Sequence, residues 1–156
     1  MLENLKQWVL ERAIRKQQPR QPRLRNYDSM RNMLILYKES VGKETIEQLK
    51  KQLVADGKEV TLFSFSEQTE INFFEKPSKV VIADLQKVHY DLLIDLTIEP
   101  CRPMHYLALY AGADCKAGLE ITHGILDFMI AVSQPITPVF LFEQIIRYLK
   151  MINSKL

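Results

Sequence analysis

Glycine is scarce in this chain, with five in 156 residues. A phosphate loop needs G-x-x-x-x-G-K-[ST] and a dinucleotide fingerprint needs G-x-G-x-x-G, because only glycine lets backbone approach a phosphate that closely. Neither pattern occurs, so both nucleotide cradles are excluded. Cysteine is scarcer still. Cys101 and Cys115 form neither a CxxC pair nor part of a His/Cys cluster, which removes zinc and dithiol redox readings and leaves no cofactor or metal implied. Long apolar runs are missing too: FMIAV at 128–132 and VFLF at 139–142 fall far short of the roughly 20 residues that a membrane span requires. The opening stretch MLENLKQWVLERAIRK carries acids and lacks the basic, apolar, small-residue order of a secretory signal, so a cytoplasmic location is expected.

What is present is the composition of a globular domain, 47% hydrophobic and 26% charged. A chain of this length fits one domain, and folding near this size buries roughly 68–70% of the unfolded surface, enough for a core without disulfides or metal. The net charge of +2 is unevenly spread. Residues 1–26 hold seven Lys/Arg against two acids, a balance of +5, whereas residues 27–156 hold 14 basic and 17 acidic side chains, a balance of −3.

Residues 2–17 read as a helix, with Leu2, Leu5 and Val9 at i, i+3 and i+7 and Leu10 and Ile14 at i and i+4. Two prolines in QQPRQPRLRNYDS break it, which places a linker at 18–29 and divides the chain into a basic leader, 1–29, and an α/β domain, 30–156. NMLILYK at 32–38 is a continuous apolar run suited to a strand covered on both faces. A helix through Ile46, Leu49 and Leu53 follows, stopped by Gly57, and then a strand EVTLFSF at 59–65. INFF at 71–74 fits a short edge strand. Val81, Leu85 and Val88 fit a helix from Ser78, although KVVIADL also fits a strand. DLLIDL at 91–96 is a strand, the helix after it starts near Pro103 and stops at Gly112, CKAGL at 115–119 and DFMIAV at 127–132 are strands, and Thr137 with Pro138 opens a helix over 138–152. Strands alternating with helices predict a doubly wound, mostly parallel, Rossmann-like sheet of about five strands. The final helix is apolar around much of its circumference, so a further surface is expected to cover it. The amino-terminal helix and a second copy of the chain are the two candidates.

In open parallel sheets ligands bind beyond the carboxyl ends of the strands. Two loops reach that rim. KESVGKET places Ser40, Gly42 and Lys43 ahead of a helix, where free N–H groups and the helix dipole suit an anion, although a polar strand-to-helix turn accounts for the same residues. TIEPCRPMHY places Cys101, Arg102 and His105 at a helix start, where a thiol could be activated. Cys as a small core residue, Pro103 as a helix starter and a solvated Arg102 explain the cluster more economically. Asp95, inside LLIDL, must be either exposed in the crevice or paired. His89 and His123 stand alone. The basic arm of Arg12, Arg15, Lys16, Arg20, Arg23 and Arg25 suits nucleic acid or an anionic membrane face, but no aromatic for base stacking follows Glu11 until Tyr27.

Residues 90–120, through Tyr90, Asp91, Asp95 and Leu96 and then Ala111, Gly112, Ala113, Lys116 and Gly118, resemble the amino-terminal domain of heptosyltransferase-type glycosyltransferases. That resemblance implies a Rossmann-like fold. Those enzymes carry a second, donor-binding domain and a glycine-acid turn after the first strand. Here that turn reads Glu39-Ser40-Val41-Gly42, and the chain ends before a second domain, so stand-alone glycosyl transfer is not expected. The short length and basic leader also resemble an uncharacterised family of small Bacteroidetes proteins. The expectation is therefore a non-catalytic domain that binds a protein partner or a second copy through its last helix. The alternatives are an enzyme or anion-binding protein using the crevice, and a leader that binds nucleic acid or membrane.

Overall fold

The structure, a computed structural model, describes residues 1–17, 21–121 and 124–152. Arg20 and His123 lie outside them. Five helices, α1 (Leu2–Lys16), α2 (Lys43–Ala55), α3 (Lys79–Leu85), α4 (Arg102–Tyr110) and α5 (Pro138–Met151), surround five strands, β1 (Asn32–Lys38), β2 (Glu59–Phe65), β3 (Tyr90–Asp95), β4 (Ala113–Leu119) and β5 (Phe128–Ile130). The strands form one sheet in the order β2-β1-β3-β4-β5, every pair parallel. Strand order reverses between β1 and β3, which fixes the switch point of a doubly wound sheet there. The predicted α/β class holds. Among the described residues no helix is long and apolar enough to cross a membrane.

Each face of the sheet has its own core. Met33 and Ile35 of β1, Leu92 and Ile94 of β3, and Cys115 and Ala117 of β4 pack against α2 and α5. Leu34, Leu36 and Leu93 point the other way and pack against α1, α3 and α4. Alternation within a strand covered on both sides is why β1 and β3 read as unbroken apolar runs. The expectation that the amino-terminal helix covers the last helix is overturned, because α1 and α5 lie on opposite faces of the sheet. On α1 only Leu10 and Ile14 are buried, while Leu2 and Leu5 face solvent. α5 instead buries Leu141, Phe142, Ile145, Ile146 and Leu149 against the sheet, α2 and a 3-10 turn at Tyr27–Ser29.

That turn belongs to the stretch expected to be a linker, yet Tyr27 is a core residue, as is Met30 just after it. The Tyr27 hydroxyl donates to Asp56 (2.7 Å), and the buried Lys58 ammonium donates to the carbonyls of Tyr27 and Met30. Residues 71–74 are not a strand. Ile71 makes one antiparallel bridge to Pro77 around a turn in which Glu75 has φ +66°, and the prolyl nitrogen has no N–H with which to extend a ladder. Of 78–88 the helix occupies Lys79–Leu85, with the Ser78 hydroxyl capping α3 by accepting the Val81 N–H (3.3 Å), whereas Val88 lies beyond its end and is exposed. The β4–β5 connection, residues 120–127, is shorter than the dozen or so residues a parallel crossover normally takes. Its closing part lies along β4, where the Asp127 N–H donates to the Lys116 carbonyl (2.7 Å) and the Asp127 carboxylate accepts the Lys116 N–H (2.8 Å).

Candidate functional site

β1 and β3 run side by side and then diverge, because the chain leaves β1 toward the α2 face and leaves β3 toward the α4 face. A groove of about 440 Å³ opens between their carboxyl ends. Lys38, Ser40 and Thr45 form its wall on the β1 side, Thr97 and Glu99 form the β3 wall, and Thr137 closes it at the start of α5. Two helices therefore begin at its rim. At α5 the Thr137 hydroxyl accepts the Phe140 N–H (3.1 Å), so this start is capped internally. At α2 the cap position is Gly42, with φ +99° and no side chain to accept the first-turn N–H groups. The start of α2 thus has no side-chain cap, and of its first turn Thr45 lines the groove. A second groove, about 590 Å³, lies between the ends of β1 and β2 and shares Lys38 and Ser40, with Ser66 and Gln68 opposite.

The sequence-predicted residues do not line one common cavity. Ser40 lines both grooves, and Gly42 shapes the α2 start. Lys43 is exposed and lines neither. Asp95 and His105 come together with Thr97 on the α4 face, beneath Ile125 and Leu126, around a cavity of only about 10 Å³. That space admits about one water molecule and no substrate. Asp95 is buried; its carboxylate accepts the Thr97 hydroxyl (2.6 Å) and the Thr97 N–H (3.0 Å). Burial raises its pKa to about 6, and the two Thr97 hydrogen bonds pull the other way. Burial lowers the His105 pKa to about 4, helped by the positive charges of Arg102 and Lys38.

Cys101 and His105 are neighbours, but their geometry is a helix cap. The Cys101 N–H donates to His105 Nε2 (3.2 Å), and the His105 N–H donates back to the Cys101 carbonyl (3.0 Å). The Nε2 lone pair is therefore engaged, and the ring proton resides on Nδ1. Arg102 is turned away from the rim. Its guanidinium pairs with Glu75 (2.7 Å) and Glu3 (2.8 Å), fastening α1 and the 71–77 turn to α4. Among the described residues no group of three His, Cys, Asp or Glu side chains could hold a metal ion.

The basic arm is divided. Arg12, Arg15 and Lys16 are exposed on α1. Arg23 is held by its backbone, its N–H donating to the Asp114 carbonyl (2.7 Å). Arg25 is used internally, paired with Asp91 and, at 3.4 Å, with Asp114. Asp91 also accepts the N–H groups of Arg31 (2.7 Å) and Asn32 (3.0 Å). Partial burial opposes ionisation of Asp91, but those two N–H groups and the Arg25 charge outweigh it and lower its pKa. Three residues that sequence reasoning missed matter here. Lys38, at the end of β1, serves both grooves, and a basic residue closing the first strand is the signal that would have found it. Thr97, two residues past Asp95, could have been found from the short Asx-type spacing. Trp8 stands one helical turn before Arg12 on the same exposed side of α1, its ring 5.6 Å from the Arg12 guanidinium carbon.

Residues 3–152 match the family of unknown function DUF6913, and the chain belongs to that family. No curated protein and no solved structure matches it. No match supports the glycosyltransferase resemblance, and the residues that carried it have structural work in this fold. Asp91 anchors the start of β1, the buried Lys116 ammonium donates to the Leu109 carbonyl (2.9 Å) at the end of α4, and Gly118 leaves room for Leu126 and the Asp95 backbone.

Proposed function

We propose that this domain binds a small phosphorylated ligand at the β1/β3 switch point and does not transform it. One observation carries the proposal: a groove at the reversal of strand order, with the α2 amino terminus uncapped by any side chain and Lys38, Ser40 and Thr45 beside it. Backbone N–H groups at a helix start and an adjacent ammonium make a phosphate seat without a glycine-rich motif. Glu99 on the opposite wall repels a second anion and accepts hydrogen bonds from hydroxyl groups, which favours a phosphorylated sugar or nucleoside over a bare polyanion. The binding-only reading is supported by the committed Nε2 of His105, which leaves Cys101 without a base.

The test is a thermal-shift screen of inorganic phosphate, sugar phosphates and nucleotides, repeated with Lys38→Ala. A ligand that binds only the folded state raises Tm in proportion to the logarithm of its concentration. Loss of Lys38 should weaken binding about tenfold or more, as expected for a charge-assisted hydrogen bond. If no compound of this class raises Tm, or if Lys38→Ala binds equally well, the groove is not a phosphate site.

A second reading, a protein partner at the β5 side of the sheet, is supported by the exposed apolar side chains of Met129, Val132 and Phe140. A concentration-independent monomer mass in solution would remove its homodimer form.

A further inference from the structure

We propose that the outward face of α1 docks on an anionic lipid surface. This goes beyond the ligand groove, which lies at the carboxyl rim of the sheet. α1 has more apolar surface than the fold uses. Leu10 and Ile14 bury against the α4 face, whereas Leu2, Leu5 and Trp8 remain 60%, 44% and 49% exposed. Leu5, Trp8, Arg12 and Arg15 follow one another at intervals of three and four residues, so they form a single stripe, apolar in its first half and basic in its second. Lys16 flanks the basic half. Trp8 stands at the junction beneath Arg12. Phe73, 56% exposed, extends the apolar end, with the Lys6 ammonium 5.4 Å from its ring centroid.

The acids of this helix do not oppose the surface equally. Glu3 is tied by its carboxylate to Arg102 on the inner side (2.8 Å). Glu11 is the acid left beside Arg12, Arg15 and Lys16, so the second half of the helix keeps a positive balance. An exposed helix stripe with Leu at one end, Trp at the junction and Arg/Lys at the other suits a lipid interface: apolar side chains enter the acyl boundary, indole sits at headgroup depth and the cations meet lipid phosphates. Nucleic acid would use the cations and leave Leu2 and Leu5 without a role. A second copy of the chain would use the leucines and leave the cations without one.

Trp8 is the single tryptophan of the chain, so its emission reports directly on this face. The full-length protein is titrated with vesicles of equal parts phosphatidylglycerol and phosphatidylcholine, with pure phosphatidylcholine vesicles, and with polyuridylate. The mixed vesicles are expected to shift Trp8 emission to the blue and to sediment with the protein. Binding should weaken as salt rises from about 0.1 M to about 1 M and the Debye length falls from about 10 Å to about 3 Å. Arg12→Gln/Arg15→Gln/Lys16→Gln should weaken binding on the order of 100-fold, at about fivefold per cation near an anionic surface. Leu5→Ser/Phe73→Ser keeps the reporter and should also weaken binding. Both variants change exposed residues, and unchanged Tm confirms that they fold. Four results overturn the proposal: no shift with the mixed vesicles, equal binding to pure phosphatidylcholine, a response to polyuridylate that matches or exceeds that to vesicles, or a lipid-free blue shift that grows with protein concentration.

Discussion

Asp95→Asn is expected to stabilise the protein at neutral pH. The buried carboxylate has lost its water, and the two hydrogen bonds from Thr97 only partly replace it. Its pKa therefore stands at about 6 in the fold against an ordinary 3.8. At about 1.4 kcal/mol per pH unit, holding Asp95 ionised at pH 7 costs the folded state about 3 kcal/mol. Because the folded pKa is the raised one, the stability that protonated Asp95 contributes is fully present below pH 3.8. It is lost as pH climbs through about 6. Asn has the same shape, its carbonyl oxygen can accept both Thr97 donors, and it carries no charge. The gain over wild type should be about 3 kcal/mol at pH 7 and should shrink toward zero near pH 4.

His105 makes the pH profile more telling. Its folded pKa is depressed to about 4 from 6.5, so the unfolded chain takes up a proton first and stability falls as pH drops from 6.5 toward 4. Between pH 4 and 6 the two residues act in opposite directions at about 1.4 kcal/mol per pH unit each, and wild-type stability should be nearly flat there. Asp95→Asn removes one of the two and should expose a profile that rises with pH. The assay is urea unfolding followed by far-ultraviolet circular dichroism at several pH values from 4 to 7. An imperfect fit of the amide would add an offset common to every pH, so the decisive quantity is how the difference changes with pH. A difference that is the same at pH 4 and pH 7 would refute the account of Asp95 as a desolvated, unpaired carboxylate.

Gly118→Ala should lower stability by about 1–3 kcal/mol, because a Cβ there would sit 2.8 Å from Leu126 Cδ1 and 3.0 Å from the Asp95 carbonyl oxygen, and backbone cannot yield as a side chain can; an unchanged Tm would contradict the packing described. Asp91→Ala should cost about 2 kcal/mol by stripping the Arg31 and Asn32 N–H groups and the Arg25 guanidinium of their shared acceptor, with Asp91→Asn less harmful; urea midpoints for the two variants check this, and equal midpoints would refute it. His105→Ala should leave alkylation of Cys101 by iodoacetamide within a few-fold of wild type, whereas a drop of tenfold or more would show that the imidazole activates the thiol after all.

The parallel sheet was legible because burial on both faces writes itself locally. Met33 to Leu36 and Leu92 to Asp95 are buried without interruption, as strands covered on both faces require. Helix starts were legible for the same reason: Ser78 and Thr137 cap through their own side chains, within three residues of the N–H groups they accept. What escaped was non-local. Arg102 looked like a crevice residue because its neighbours in sequence are Cys101 and Pro103, but its partners are Glu75 and Glu3, far away along the chain. The same holds for α1. Periodicity found its apolar positions, but which of them would be covered depends on α4, and the helix turned out to bury Leu10 and Ile14 while leaving Leu2, Leu5 and Trp8 outside.

The polar residues after β3 illustrate why proximity in sequence is a poor guide to a site. Asp95, Cys101, Arg102 and His105 lie within a short stretch, yet they serve three separate ends. Asp95 sits with Thr97 in a closed cavity that His105 also lines, Cys101 and His105 cap each other at the start of α4, and Arg102 reaches over to α1. Lys38, Ser40, Thr45 and Glu99 are drawn from two segments far apart in the chain, and they share an open groove because β1 and β3 are adjacent in the sheet. A cluster that is close in sequence at a strand-to-helix junction is first constrained by the need to cap the helix and seal the core. A cluster assembled across the switch point has no such structural duty, and its polar side chains remain available to a ligand.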